Sequence, residues 1–231
     1  MKTKNDITSC KTCVYRKLLF GCLDDIEYMM VNSSRKEYFF SKGEMIKSEG
    51  EKVKSFLYLR KGLVKIFKTG NAGKDHILSI NKPGDFINLL HIFSEKNFRY
   101  NIVALEDTLV CDVDLGIINH LIKSNGNFAM TVINRMSNIS AEIIENRFNM
   151  IQKQIKGRIA SLILYFADEV YHSDTFTLPI TRKEIGELIS ITTENTIRSL
   201  SVFHNDGIIR LKGKQLEILN KDLLKIIKEN G

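Results

Sequence analysis

The spacing of apolar residues changes character near Gly126. Upstream, from Lys36 to about Val113, short apolar or alternating runs are cut by glycines. Phe39-Phe40 leads into Gly43, Met45-Ile46 into Gly50, and Phe56-Leu57-Tyr58-Leu59 runs to Gly62. Leu63-Val64-Lys65-Ile66-Phe67 alternates before Gly70, Asn71 and Gly73, and Ile77-Leu78-Ser79-Ile80 precedes a Pro83-Gly84-Asp85 turn. Asn101 to Leu105 and Thr108 to Val113 supply two later runs. Alternation bounded by turn residues predicts strands. Many short strands punctuated by Gly, Pro, Asn and Asp predict a compact antiparallel roll or barrel.

Downstream the period lengthens. Phe128, Val132, Met136, Ile139, Ile143 and Met150 fall on one stripe at helical steps, with Asn146 at its seam, and Ile133, Ser140 and Ile144 widen it. No Gly or Pro interrupts the run, so one long helix is expected. Its stripe has two uses, packing against its own domain or pairing with the same helix of a second copy, and one spacing serves both. Gly157 is expected to mark a bend, Ile159 to Val170 a further helix, and Phe176-Thr177-Leu178 a short strand before Pro179. The chain thus divides into an N-terminal segment and roll (1–125), a central helix (126–150) and a C-terminal domain (151–231).

The C-terminal domain carries the most specific pattern. Thr181 followed by Glu184 forms a capping box, opening a short helix from Arg182 to Ile189 that buries Ile185, Leu188 and Ile189. Ser190-Ile191-Thr192 makes a turn. A second helix, capped by Thr192 or Thr193, runs through Ile197, Leu200 and Phe203 and ends before Asp206-Gly207. Ile208 to Leu211, a Lys212-Gly213-Lys214 turn, and Leu216 to Leu219 then form a hairpin. This is a helix-turn-helix with a wing. Such a fold places the first turn of its second helix in the major groove of DNA, where base edges are distinguishable. Arg198 offers guanine a two-donor fork and Glu194 can accept from a cytosine amino group, each contact discriminating by about 1–3 kcal/mol. Arg182, Thr192, Thr193, Asn195, Lys212 and Lys214 are candidates for backbone phosphates. Winged helices also serve as protein-interaction modules, and an effector-binding module of that kind is the alternative.

Charge adds less than its total suggests. The net charge of +7 favours a polyanion partner. Residues 155–231, however, hold eleven Lys and Arg against ten acids, while residues 1–60 hold twelve against eight. Charge therefore does not locate the DNA-binding end. No nucleophile-base signature, GxxxxGK[ST] or HExxH occurs, so no enzyme is expected. No run approaches the roughly 18 apolar residues of a membrane span, and Met1 to Asp6 is polar, which makes a cytoplasmic protein without a membrane partner the expectation. Four cysteines, at 10, 13, 22 and 111, do not read as a disulfide framework in a chain of this length.

Several segments together resemble a known family. KGEMIKSEGEKVKSFLYLRKGLVKIF (42–67) with KPGDFINLLHIF (82–93), then KGRIASLILYFA (156–167), then TRKEIGELISITTENTIRSLSVFHNDGII (181–209) are similar to the CRP/FNR family of bacterial transcription regulators. The resemblance covers about residues 20–220. It implies an α+β chain with an N-terminal antiparallel β-roll (a jelly roll of the cyclic-nucleotide-binding kind), a long central dimerisation helix and a C-terminal winged helix-turn-helix. It further implies a homodimer, joined through Val132, Met136, Ile139, Ile143 and Met150, on partly palindromic double-stranded DNA and in contact with RNA polymerase. Glu194 and Arg198 match the family's base-reading positions. Thr193 stands where arginine is frequent, and Ser190 where glycine is common.

The resemblance also bears on the signal. In the cyclic-nucleotide branch a glutamate holds the ribose, an arginine-serine pair holds the phosphate, and a polar pair on the central helix meets the base. Here those positions are Leu89, Arg99 with Tyr100, and Ile143 with Ile144. Leucine and isoleucine cannot supply the hydrogen bonds, so cAMP is not the expected ligand. Arg99 is either an anion contact in the roll or a surface pair partner. In the oxygen-sensing branch three N-terminal cysteines and one in a late strand hold an iron-sulfur cluster, and Cys10, Cys13, Cys22 and Cys111 (in LVCDV) resemble that set. The interval between Cys13 and Cys22 is wider than that branch's usual one. The alternative keeps Cys111 as a small buried strand residue. His76, His91 and His120 are candidate haem ligands without diagnostic spacing.

Overall fold

The computed structural model describes residues 2–3, 16–70, 73–89 and 92–231; Cys10, Cys13 and His91 lie outside them. Two compact units are present, Met1–Ala72 with Leu78–Ile143, and Gly73–Ile77 with Ile144–Gly231.

The first unit holds β1 (Lys2–Thr3), α1 (Arg16–Leu19), α2 (Asp25–Ser34), β2 (Lys36–Phe40), β3 (Met45–Lys47), β4 (Ser55–Lys61), β5 (Val64–Thr69), β6 (Asp75–Asn81), β7 (Asn101–Ala104) and β8 (Thr108–Asp114). They form two four-stranded sheets ordered β1-β2-β8-β4 and β3-β7-β5-β6. Phe40, Leu57, Leu59, Val64, Ile66, Ile102 and Val110 fill the roll between them. On β4 five successive residues, Ser55 to Leu59, are buried. The polar-apolar alternation of a half-solvated strand is absent there because both faces are covered. Leu57 and Leu59 point into the roll, while Phe56 and Tyr58 point the other way, into a second core built with helices.

That second core includes Leu23, Tyr28 and Val31 from the α2 region, Phe56, Tyr58, Cys111 and Val113 from the sheet, and Ile118, Leu121, Phe128 and Val132. The last four come from α3 (Leu115–Ser124) and α4 (Gly126–Gln152). The turn between β4 and β5 needs a glycine: Gly62 has φ 84°, and a Cβ there would stand 2.6 Å from the Asp107 carbonyl and the Thr108 hydroxyl.

The second unit contains α5 (Ile155–Leu164), a π-helical continuation over Tyr165–Tyr171, β9 (Thr175–Thr177), α6 (Arg182–Ile189), α7 (Thr193–Asn205), β10 (Ile209–Lys212), β11 (Gln215–Ile218) and α8 (Lys221–Asn230). β10 and β11 form the hairpin, and β11 pairs on its other side with β9, so the wing is the outer part of a three-stranded sheet. Gly157 does not mark a bend. It lies inside α5, where a Cβ would stand 2.3 Å from the Gly231 carbonyl, so its smallness serves a close approach between α5 and the end of α8. The helical run breaks instead at extended Gln154. The sequence reading passed over α8, although Asn220 caps it by accepting from the Leu223 amide. Among the described residues no helix is long and apolar enough to cross a membrane.

Candidate nucleic-acid interface

Local chemistry sets the helix-turn-helix. The Thr181 amide donates to the Glu184 carboxylate at 2.8 Å and the Glu184 amide to the Thr181 hydroxyl at 3.2 Å, completing the box that starts α6. Ser190 ends α6 at φ 58°, ψ 49°, and the Ile191 amide turns back to the Gly186 carbonyl at 2.9 Å. Gly186 is where the two helices meet: a Cβ would stand 2.8 Å from the Ile191 carbonyl and 3.2 Å from the Thr196 hydroxyl. Thr192, not Thr193, caps α7, its hydroxyl accepting from the Asn195 amide at 3.1 Å. From α5 the Arg158 guanidinium donates to the Ile189 carbonyl at 3.4 Å and lies 3.5 Å from that of Ser190, placing a cation at the negative end of α6.

α7 has two distinct sides. Thr196, Ser199, Leu200 and Phe203 are buried, and Thr193, Glu194, Ile197, Arg198 and Ser201 are exposed, with Asn195 between. Glu194 and Arg198 stand one turn apart on the open side, where one accepts and the other donates. Ile197 is 51% exposed and belongs to this outer side. The wing carries Lys212 and Lys214, both exposed, and Arg210 pairs across its strands with Glu217 at 2.5 Å. Arg182 is half-buried, and its guanidinium donates to the Gly213 carbonyl at the wing tip. It fastens the wing to the start of α6, a task beyond the phosphate contact expected of it.

In the roll, Leu89 is 1% exposed and packs in the apolar core beside Phe86 and Ile92. Arg99, a candidate anion contact inside the roll, instead has its side chain 70% exposed and pairs with Glu95 at 2.6 Å. The loop carries it outward, so it is not directed into the interior. Tyr100 is half-buried with its hydroxyl 3.4 Å from the Ile87 carbonyl, and burial raises its pKa. His76 and His120 are both exposed.

Cys111 sits in a closed set of charges. It faces Glu37 across the β2–β8 ladder and Tyr58 across the β4–β8 ladder. Glu37 binds Arg35 at 2.8 Å and also Arg60, while the Cys111 sulfur lies 3.7 Å from both the Arg35 guanidinium and the Glu37 carboxylate. Burial dominates, and its thiol is pushed up to about 12. Cys22 is exposed and lies 3.6 Å from the Thr131 hydroxyl on α4. A cluster ligand must be a thiolate open to iron. Cys111 is enclosed by ion-paired side chains, whereas Cys22 is open. Of the four cysteines that resemble an iron-sulfur set, Cys22 and Cys111 are among the described residues and Cys10 and Cys13 are not.

α4 presents two rows. Val132 is buried, and Met136 and Ile139 pack beside it against the helix's own roll. Ile143 is exposed and Met150 half-buried. A separate row of Met130, Ile133, Ile144, Phe148 and Ile151 is exposed, each residue at least half accessible. Ile143 and Ile144 thus add no polar group where the cyclic-nucleotide branch places its base-facing pair. Met130, Phe148 and Ile151 were missed in the sequence, although their spacing of three, four or seven from Ile133 and Ile144 signalled them.

Residues 37–125 match the cyclic nucleotide-binding domain family, and residues 157–227 match the Crp-like helix-turn-helix domain family. Electron transport regulator A of Shewanella oneidensis is 27% identical over 196 residues, covering 82% of this chain and 77% of that protein. The cAMP-activated global transcriptional regulator CRP of Salmonella typhimurium is 29% identical over 174 residues, covering 74% and 83%. Among solved structures, FixK2 from Bradyrhizobium japonicum aligns with a TM-score of 0.75 at 23% identity, covering 84% of this chain and 96% of that one, a likeness of fold.

Proposed function

The chain belongs to the CRP/FNR family of bacterial transcription regulators, and from that premise we propose that it is a homodimer whose α7 reads base edges in DNA and whose roll answers a signal other than cAMP. The open side of α7 carries the reading. Glu194 and Arg198 stand together on it, one turn beyond the Thr192 cap, with the core on the opposite side. Phosphates fall to Thr192, Thr193, Asn195, Lys212 and Lys214, which set register and add salt-dependent affinity. Two copies of α7 read half-sites about one helical turn, roughly 34 Å, apart. RNA polymerase is the further partner that family membership suggests.

Dimer formation is assigned to the exposed row of α4, since Val132 is buried against the roll and Met136 and Ile139 are partly covered by it. The choice of signal rests on Leu89, an apolar core residue where a ribose acceptor would be required, and on Arg99, turned to solvent. A redox signal through an iron-sulfur cluster on Cys10, Cys13, Cys22 and Cys111 is disfavoured by the setting of Cys111. Iron and sulfide analysis of anaerobically purified protein is expected to find no cluster. A stoichiometric cluster lost in C111A would reverse that reading.

Binding to a duplex selected from a randomised pool tests the main proposal. E194A and R198A are each expected to narrow the preference for the selected duplex over scrambled DNA by about 5- to 150-fold, the equivalent of about 1–3 kcal/mol. Unchanged preference in both variants would remove direct readout by α7.

A further inference from the structure

We infer that Ile197 is a third base-reading residue of α7, recognising the 5-methyl group of a thymine in the major groove beside the bases met by Glu194 and Arg198. This rests on the DNA-reading role of α7 and names a chemistry that the polar pair cannot supply. At about 100° per residue, Ile197 lies about 60° around the helix from Glu194 and about 100° from Arg198. Buried Thr196 and Phe203 lie about 100° and 120° around from it, and Leu200, about 60° away, marks the edge of the buried side. Half of the Ile197 surface is open, and its neighbours on the open side, Thr193, Glu194, Arg198 and Ser201, are all polar.

A single exposed isoleucine is ordinary on a protein surface. Its location gives this one a role. It stands in the second turn of the helix, on the open side and flanking Glu194, a residue whose partner is a base edge. The major groove offers one apolar group, the thymine methyl. An aliphatic side chain pressed against a cytosine amino group or the guanine acceptors would leave them without hydrogen bonds, so it rejects those bases as it accepts thymine. Isoleucine also suits the task entropically, since β-branching leaves its first torsion few states to lose on contact.

Replacing thymine by uracil deletes that methyl and nothing else. In the duplex selected above, each thymine is exchanged singly for uracil and binding is measured for the wild type and for Ile197→Ser. One thymine per half-site is expected to respond, the exchange weakening wild-type binding about fourfold, the worth of one buried methyl. Exchange in both half-sites is expected to cost roughly fifteenfold, because distant sites add. Ile197→Ser should bind thymine and uracil duplexes equally within twofold, with an unchanged thermal melt, since it alters an exposed position. If no exchange affects the wild type, or if Ile197→Ser keeps the full loss, the inference is overturned while the DNA-reading role stands. If the pool yields no preferred duplex, the DNA-reading role itself falls and takes the inference with it.

Discussion

Ser190 closes α6 in the left-handed region, where an L side chain crowds its own carbonyl at a cost of about 1–2 kcal/mol. Glycine would avoid that crowding but would free the unfolded chain, returning about 0.4–1 kcal/mol of the gain. The first quantity is the larger, so Ser190→Gly is expected to stabilise the domain by about 0.5–1 kcal/mol. Urea unfolding would show this as a higher midpoint at unchanged slope. A lower midpoint would mean that the strain argument is wrong at this residue. Ser190 was legible in sequence as a departure from glycine; its backbone angle was not. Cys111 shows the opposite limit. Its place in an apolar alternating strand was plain, yet the charged neighbours Arg35, Glu37 and Arg60 reach it through the β2–β8–β4 pairing and a helix end that no local pattern records.

At the scale of elements, periodicity located the helices well and their faces less well. Of the apolar residues that mark α7, Leu200 and Phe203 face inward and Ile197 does not. Thr196 takes that place instead. Its hydroxyl donates to the Thr192 carbonyl at 3.1 Å, and a polar group bonded within its own helix can be buried cheaply. On α4 the apolar residues divide into two rows, one packed on the roll and one exposed. Substitutions on the two rows should therefore separate. Phe148→Glu places like charges face to face in the proposed pairing, and is expected to raise the dimer dissociation constant at least about 100-fold, seen by sedimentation, and to weaken DNA binding with it. Val132→Ala should instead lower the melting temperature, since it opens a buried site worth about 1–3 kcal/mol, and leave the sedimentation coefficient alone. Monomers from Val132→Ala and dimers from Phe148→Glu would exchange the assignments of the two rows.

Across the molecule, the order of parts was legible because each announces itself differently: period-two runs with glycine turns, one uninterrupted helical stripe, then a capping box and a lysine-tipped hairpin. Side-chain direction in irregular segments was not. Arg99 follows a stretch without period, and only the folded loop shows that it meets Glu95 at the surface. α8 was legible but passed over: Leu223, Leu224, Ile226 and Ile227 follow helical spacing after the Asn220 cap, and Leu224 is buried.

The bond from Arg182 to the Gly213 carbonyl bears on how such a domain meets a duplex. A hairpin tip that swung freely would have to be immobilised at each encounter, at an entropic penalty for every side chain fixed. Here the tip is already moored to the opening turn of α6, which leads through one tight turn into α7. Association then approximates rigid docking: its heat-capacity change follows the surface covered, with no added contribution from a wing folding as it lands.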